Sequence, residues 1–258
     1  MYIIYQSVLL FHVIAGLFGL IFFWIPVLLR KGSPKHKKIG SWFVAAMTIA
    51  GSTGLIMAAM LFIDPIAARV TANDLSVEQL STLAVASRER AYFFVLLGLL
   101  LLTSAQSSRL VLVAKADLSV LREPRHLVLP ISLLIASAAL LFLAITRENT
   151  LYYVFSGIGG FISLTSLRYR FKKILRPREW VIAHLGHAFG AGIAAHTAFF
   201  AFGANQVLSL YLQGTYALIP WLAPGIIGGI AITLTSLYYA NKFGYYRSRS
   251  DKKLTVEP

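Results

Sequence analysis

The chain has 258 residues, of which 57% are hydrophobic and only 13% are charged. A soluble domain carries about 25% charged residues, so this composition indicates a membrane protein and argues against an ordinary soluble enzyme. The sequence has no cysteine, which excludes disulfides, thiolate metal sites, iron–sulfur clusters and covalent haem attachment within it. The net charge of +14 comes from short basic clusters between apolar runs, and that pattern argues against nucleic-acid binding.

Seven apolar runs are each long enough to cross the hydrocarbon core of a bilayer. The sequence therefore predicts an all-α, polytopic membrane protein with seven transmembrane helices. We expect one membrane domain over residues 1–241 and a basic cytoplasmic tail over 242–258. The first run lacks a basic amino-terminal region and a cleavage site, so we expect a retained span and not a signal peptide. The predicted spans are 3–29, 41–63, 91–114, 127–146, 151–167, 180–203 and 217–241.

The basic residues are unevenly divided between the two sides of these spans. Twenty of the 24 lysines and arginines lie in or beside the connections 30–40, 115–126 and 168–179 or in the tail. Short loops rich in Lys and Arg stay in the cytoplasm, so we expect the amino terminus outside and the carboxyl terminus inside, in a bacterial cytoplasmic membrane. An alternative role for these loops is binding of anionic lipid or of a nucleotide phosphate.

The connection 64–90 is the long one on the predicted external side. Within it, the residues from Ser76 to Gln79 resemble a capping box. This pattern predicts a short amphipathic helix that leads into the third span and lies on the membrane or covers the bundle.

Histidines are the only ionisable groups deep inside the predicted spans, because no Asp or Glu lies there. A carboxylate proton relay is therefore not expected. The seventh span also has no interior lysine for a Schiff base, so we set aside the rhodopsin class in spite of the shared span count. Ionisable groups in a membrane usually face other helices and serve a function.

The sixth span contains His184, His187 and His196 in the run WVIAHLGHAFGAGIAAHTAFFAFG. At 1.5 Å per residue, His196 and His12 of the first span have a common depth, about 24–26 Å from the cytoplasmic edge. The expectation is a haem b held by His12 and His196, with His184 as a further candidate and no other metal. A structural or substrate-contacting role is the alternative. His187 lies half a turn from His196 and faces a different neighbour.

A stripe of small residues also runs along the sixth span at i, i+4 and i+8, formed by Gly186, Gly190 and Ala194. Small residues let helix backbones approach closely. We therefore expect Gly190 to pack against a neighbouring helix.

Two segments carry a family resemblance. The first is HVIAG from His12, followed by RKGSPKHKKIG over 30–40; the second is His184 with GAGIAAHTAF over 190–199 and PWLAP over 220–224. They resemble a large bacterial family of integral membrane proteins of unknown function. The resemblance covers the first 45 residues and roughly 180–240. It implies that His12, His36 and His184, which lie at the family's usual histidine positions, are candidate functional residues. It suggests no reaction.

The leading expectation is that the protein is a histidine-ligated b-type haem protein or an accessory subunit of a membrane redox complex. The alternative is a carrier or binding protein for a small apolar solute, with His187, Gln106 and Arg109 as candidate contacts. Arg109 could instead extend its charged end to the membrane edge. A third possibility is a structural subunit. Expected partners are the lipid bilayer and other membrane subunits, not nucleic acid, and the sequence assigns no enzymatic reaction.

The orientation can be tested directly because the chain has no cysteine. A cysteine placed at Ser76 is expected to react with a membrane-impermeant thiol reagent in intact cells. Cysteines at Ser33 and Lys173 are expected to react only after lysis. Reaction at Lys173 together with no reaction at Ser76 would reverse the orientation.

Overall fold

The computed structural model describes residues 1–69 and 75–245, and helices dominate this part of the chain. The described residues form no strand, which confirms the all-α prediction. Among residues 1–69 and 75–245, seven helices are long and apolar enough to cross a membrane, as predicted. The helices are α1 (Tyr2–Leu28), α2 (Pro34–Ile63), α3 (Pro65–Arg69), α4 (Val77–Ala114), α5 (Pro124–Arg147), α6 (Thr150–Arg170), α7 (Glu179–Ala198), α8 (Asn205–Leu208) and α9 (Ile219–Lys242).

Of the predicted basic tail, residues 246–258 lie outside the described residues. We call the end of the bundle that carries the connections 29–33, 115–123 and 171–178 the basic end.

Helix α7 continues into one wider, π-helical turn over Phe199–Gly203, in which the Ala204 amide donates to the Phe199 carbonyl at 2.8 Å.

The long helix α4 begins at the predicted capping box. The Gln79 amide donates to the Ser76 hydroxyl at 3.2 Å, and the Ser76 amide donates to the Gln79 side chain at 2.9 Å. The separate amphipathic helix that we predicted does not form, because neither proline nor glycine interrupts the chain between Val77 and Leu97. The segment instead becomes the first part of one helix of 38 residues. That length, about 57 Å, exceeds the hydrocarbon core, so α4 extends beyond it.

Helix α4 is also the centre of the packing. It contacts α2, α5, α6 and α7, whereas α1 packs mainly on α2, and α9 packs mainly on α7. In its spanning segment 56% of the residues are buried, against 6% in that of α9. Helices α4, α5 and α6 share one apolar cluster around Phe93, Leu96, Leu133 and Phe155.

Helix α6 is longer than predicted. We expected this span to end at residue 167 and assigned Arg170 to a basic loop, but the helix continues through Arg170. Neither proline nor glycine interrupts the chain between Gly160 and Arg170, and Arg122 Nε donates to the Arg170 carbonyl at 2.9 Å at the helix end. Arg170 is therefore placed in the interior, with 1% of its surface exposed.

The predicted contact of Gly190 is present and Ala194 also packs against the bundle, whereas Gly186 of the same stripe faces open space. A Cβ added at Gly190 would lie 3.5 Å from Ser104 Oγ of α4, an ordinary contact. A Cβ added at Gly186 would meet nothing within 4 Å. Close packing on α7 is tightest at Gly192, where a Cβ would overlap the ring of Phe23, lying 2.5 Å from its Cδ2 and 2.7 Å from its Cζ.

We expect Gly192→Ala to destabilise the protein by about 1–3 kcal/mol, because the Phe23 ring is held by Phe43 and Phe189 and has little freedom to move. The measurement is the midpoint of thermal unfolding in detergent. The matched control is Gly186→Ala on the same helix, where space is open. Alanine favours a helix over glycine by about 1 kcal/mol, so this control should be as stable as the wild type or more stable. Equal midpoints for Gly192→Ala and the wild type would contradict the close contact.

Candidate functional site

A large cavity lies between the spanning helices. Its volume is about 1510 Å³, and residues of α1, α2, α4, α6, α7 and α9 line it. Typical pockets for small molecules measure about 300–1,000 Å³, so this one has room for a molecule of lipid size. Its lining is mostly aliphatic, aromatic and glycine residues, and within the described chain no Asp, Glu, Lys or Arg takes part.

Packing leaves this space open because two of the helices are held by different partners. Helix α6 packs on α5 and α4, and α9 packs on α7. Both helices line the cavity. Glycines widen the gap: Gly157 of α6, Gly186 of α7, and Gly225 and Gly229 of α9 line it, and a Cβ added at any of them would meet nothing within 4 Å.

These glycines differ from the packing glycines of the same bundle. Gly51 of α2 and Gly98 of α4 approach each other so closely that a Cβ added at Gly98 would lie 3.3 Å from the Gly51 carbonyl oxygen. The sequence presents both kinds alike, as small residues inside apolar runs. Only the neighbouring helix decides whether a glycine serves close contact or open volume.

His187 is the polar side chain that stands out in the cavity wall. It is half-buried, and its imidazole forms no hydrogen bond with any described residue. A neutral imidazole carries one donor and one acceptor nitrogen, so both can meet a molecule in the cavity. The other polar side chains of the lining are Tyr5, His12, Ser104, Thr165, Tyr169 and Thr197.

His12 also lines the cavity, but one of its nitrogens is committed to helix packing. His12 Nδ1 donates to the Ala50 carbonyl at 2.9 Å and lies 3.1 Å from Thr53 Oγ1. A carbonyl can only accept, so Nδ1 carries the proton and Nε2 is left as an acceptor. The bond ties α1 to α2.

His196 lies against Trp24 and Phe23 and makes no hydrogen bond with His12. Its Nδ1 donates to the Gly192 carbonyl at 2.7 Å, its Nε2 accepts from Trp24 Nε1 at 3.1 Å, and its ring packs edge-on against Phe23. Trp24 follows His12 by twelve residues, or about 18 Å along α1. Counting residues gives the rise along a straight helix, but it does not give helix tilt or the direction in which a side chain extends.

This arrangement does not fit a haem iron shared by His12 and His196. Both nitrogens of His196 have protein partners, so this ring has no nitrogen free for an iron, whereas His12 keeps Nε2. An iron ligand needs one free imidazole nitrogen on each side of the haem plane. We therefore derive no chemistry through a haem at this pair.

The remaining predicted residues do not line the large cavity. His184 Nδ1 donates to the Ser108 carbonyl at 2.8 Å and ties α7 to α4. Gln106 Nε2 donates to Thr48 Oγ1 at 2.8 Å and faces a second, smaller cavity. Arg109 is exposed and lines neither cavity. His36, singled out by the family resemblance, donates to the Pro26 carbonyl at 3.1 Å.

Sequence reasoning missed Arg170, which we had counted as a loop charge. A signal was available, because Ser163, Ser166 and Arg170 follow a spacing of i, i+3 and i+7 and so share one helix face. Such a polar stripe predicts that the helix continues for one more turn and that the Arg170 side chain faces the interior of the bundle.

No protein-family model, curated protein or solved structure matches the chain. The resemblance to the bacterial membrane-protein family therefore stays a prediction. Within residues 1–69 and 75–245, no three side chains of His, Asp or Glu come together as a metal site.

An absorption spectrum tests the histidine geometry. We expect protein expressed with haem supply to show no Soret band that depends on both His12 and His196, before or after dithionite. The variants to compare are His12→Ala and His196→Ala. A band that both substitutions abolish would contradict the placement of the two rings.

Proposed function

We propose that the protein is a binding protein or carrier for a lipid-like, largely apolar molecule inside a bacterial cytoplasmic membrane. The observation that carries this proposal is the cavity of about 1510 Å³ between six spanning helices. It corresponds to the solute-binding alternative of the sequence analysis, with a larger solute than we expected there.

The lining favours an uncharged ligand. No acidic or basic side chain of the described chain other than histidine faces the cavity, so a charged head group would find no partner of opposite sign there. Lipid tails are as apolar as the lining, and apolar contact alone therefore gives little preference over bulk lipid. Selectivity has to come from shape and from hydrogen bonds.

His187 supports a ligand with one small polar group. Its imidazole can donate to a carbonyl or accept from a hydroxyl, and no described residue forms a hydrogen bond with it. A polar contact in so apolar a place discriminates strongly, because the alternative for the imidazole is to remain without a partner. We therefore favour an amphipathic ligand with a hydroxyl or carbonyl head and a long apolar part.

Trp221 provides a way to observe occupancy. It lines the cavity and packs edge-on against Phe202, at 5.0 Å between ring centroids, and against Phe155, at 5.9 Å. The other tryptophans, Trp24, Trp42 and Trp180, do not line the cavity. With those three replaced by phenylalanine, tryptophan emission reports on Trp221 alone.

Filling the cavity tests the proposal. A brominated monoacylglycerol is expected to quench Trp221 saturably, and Gly186→Phe should weaken this binding severalfold because its ring occupies open cavity space. His187→Leu should also weaken it by removing the polar contact. The matched control is Gly40→Phe, since Gly40 has equally open surroundings and does not line the cavity.

Linear, unsaturable quenching that is the same in all variants would contradict the proposal. The structural-subunit alternative would then be favoured. A haem-dependent spectrum of the kind described above would favour the redox alternative.

A further inference from the structure

A second, smaller cavity lies at the basic end, between α4, α5 and α6. Its volume is about 230 Å³. At about 30 Å³ per water this equals seven or eight waters, enough for one phosphate-sized group and too small for a nucleotide. Three leucines complete a wall that otherwise consists of hydrogen-bonding side chains, namely Gln106, Ser107, Arg125, His126 and Arg170.

Arg170 brings a buried positive charge to this cavity. Its Nη2 donates to Ser107 Oγ at 2.9 Å, and its Nη1 donates to the Ser166 carbonyl at 3.1 Å and to the Ser166 hydroxyl. Its Nε has no hydrogen-bond partner in the described chain. The hydrogen-bond partners of the two other guanidinium nitrogens are neutral groups.

No carboxylate of the described chain compensates this charge. The ion pairs formed by residues 1–69 and 75–245 join Arg125 to Glu123, Arg147 to Glu89 and Lys172 to Glu179. A buried charge without a counter-charge is destabilising, so an anion that reached Arg170 would be strongly stabilised.

The first turn of α5 adds a second source of positive potential. This helix of 24 residues begins at Pro124, and Glu123 does not cap it with its side chain, because its carboxylate pairs with Arg125 at 2.7 Å. Pro124 has no N–H and the His126 amide donates to the Glu123 carbonyl at 2.8 Å, so the Arg125 amide is the first one of the helix without a side-chain acceptor. Such amides and the helix dipole attract anions. Arg125 and His126 extend from this turn into the cavity wall.

We propose that this cavity is an anion site that takes a single phosphate-type oxyanion. The guanidinium groups, the imidazole and the serine hydroxyl can all donate to oxygen, and Arg170 presents a planar donor set that suits phosphate. The group is either the phosphate of an anionic lipid head or free phosphate, which share this chemistry. The site is separate from the large apolar cavity and does not depend on what that cavity binds.

The test uses the full chain in detergent and follows the midpoint of thermal unfolding during titration. One arm adds inorganic phosphate, and a second adds a short-chain phosphatidic acid with matched phosphatidylcholine as its comparison. Sodium chloride of equal ionic strength controls for screening. We expect a saturable rise of the midpoint with at least one phosphate compound and none with chloride. Saturation by phosphate identifies the free anion, and saturation by phosphatidic acid alone identifies the lipid head.

Variants of exposed or half-buried wall residues keep the test independent of folding. Arg125→Ala and His126→Ala are each expected to weaken the titration about tenfold or more, because each removes a charged or polar donor. Arg170→Lys should bind more weakly than the wild type, since lysine lacks the planar fork. The matched control, Arg168→Gln, removes an exposed charge from the same turn and should titrate like the wild type.

The Gly186→Phe variant, which fills the other cavity, should also titrate like the wild type. No saturable shift with either phosphate compound would overturn the proposal. Equal affinities for the wild type, Arg125→Ala and His126→Ala would also overturn it and leave Arg170 as a purely structural cation.

Discussion

Helix association in a bilayer has no hydrophobic driving force of its own, so each neighbour of α4 has to be held by close contact or by a hydrogen bond. Small residues on α4 meet this constraint on three sides. Gly98 allows α2 to approach, the Ser108 carbonyl accepts from His184 of α7, and Ser107 accepts from Arg170 of α6. These contacts hold α2, α6 and α7 against α4, and α1 and α9 pack in turn on α2 and α7.

The histidines also serve to hold neighbouring helices together by hydrogen bonds. Three of them use Nδ1 to donate to a carbonyl of a neighbouring helix: His12 to Ala50, His36 to Pro26, and His184 to Ser108. A packing role thus accounts for the Nδ1 atoms of these three histidines, because a backbone carbonyl on the next helix accepts from each of them. Among the six histidines, His187 is the one that faces the large cavity without a described partner.

The two cavities follow from the same packing and have opposite character. Where α6 and α9 are held by separate partners, glycines line a wide apolar space. At the basic end, hydrogen-bond donors of α4, α5 and α6 line a much smaller space between these three helices. Around the buried Arg170 the effective dielectric constant is low, so its hydrogen bonds are stronger there than they would be in water.

The sequence by itself determined the seven spans, five of them to within a few residues, because a run of about 20 apolar residues has few other stable conformations. Helices α2 and α4 begin earlier than their predicted spans. It also determined the start of α4, since Ser76 and Gln79 satisfy amides within their own helical turn. The tertiary structure alone decided that His196 meets Trp24 and that Arg170 turns inward. Residue spacing gives the rise and phase along one helix, whereas the tilt of each helix and the identity of its neighbours arise only when the helices pack together.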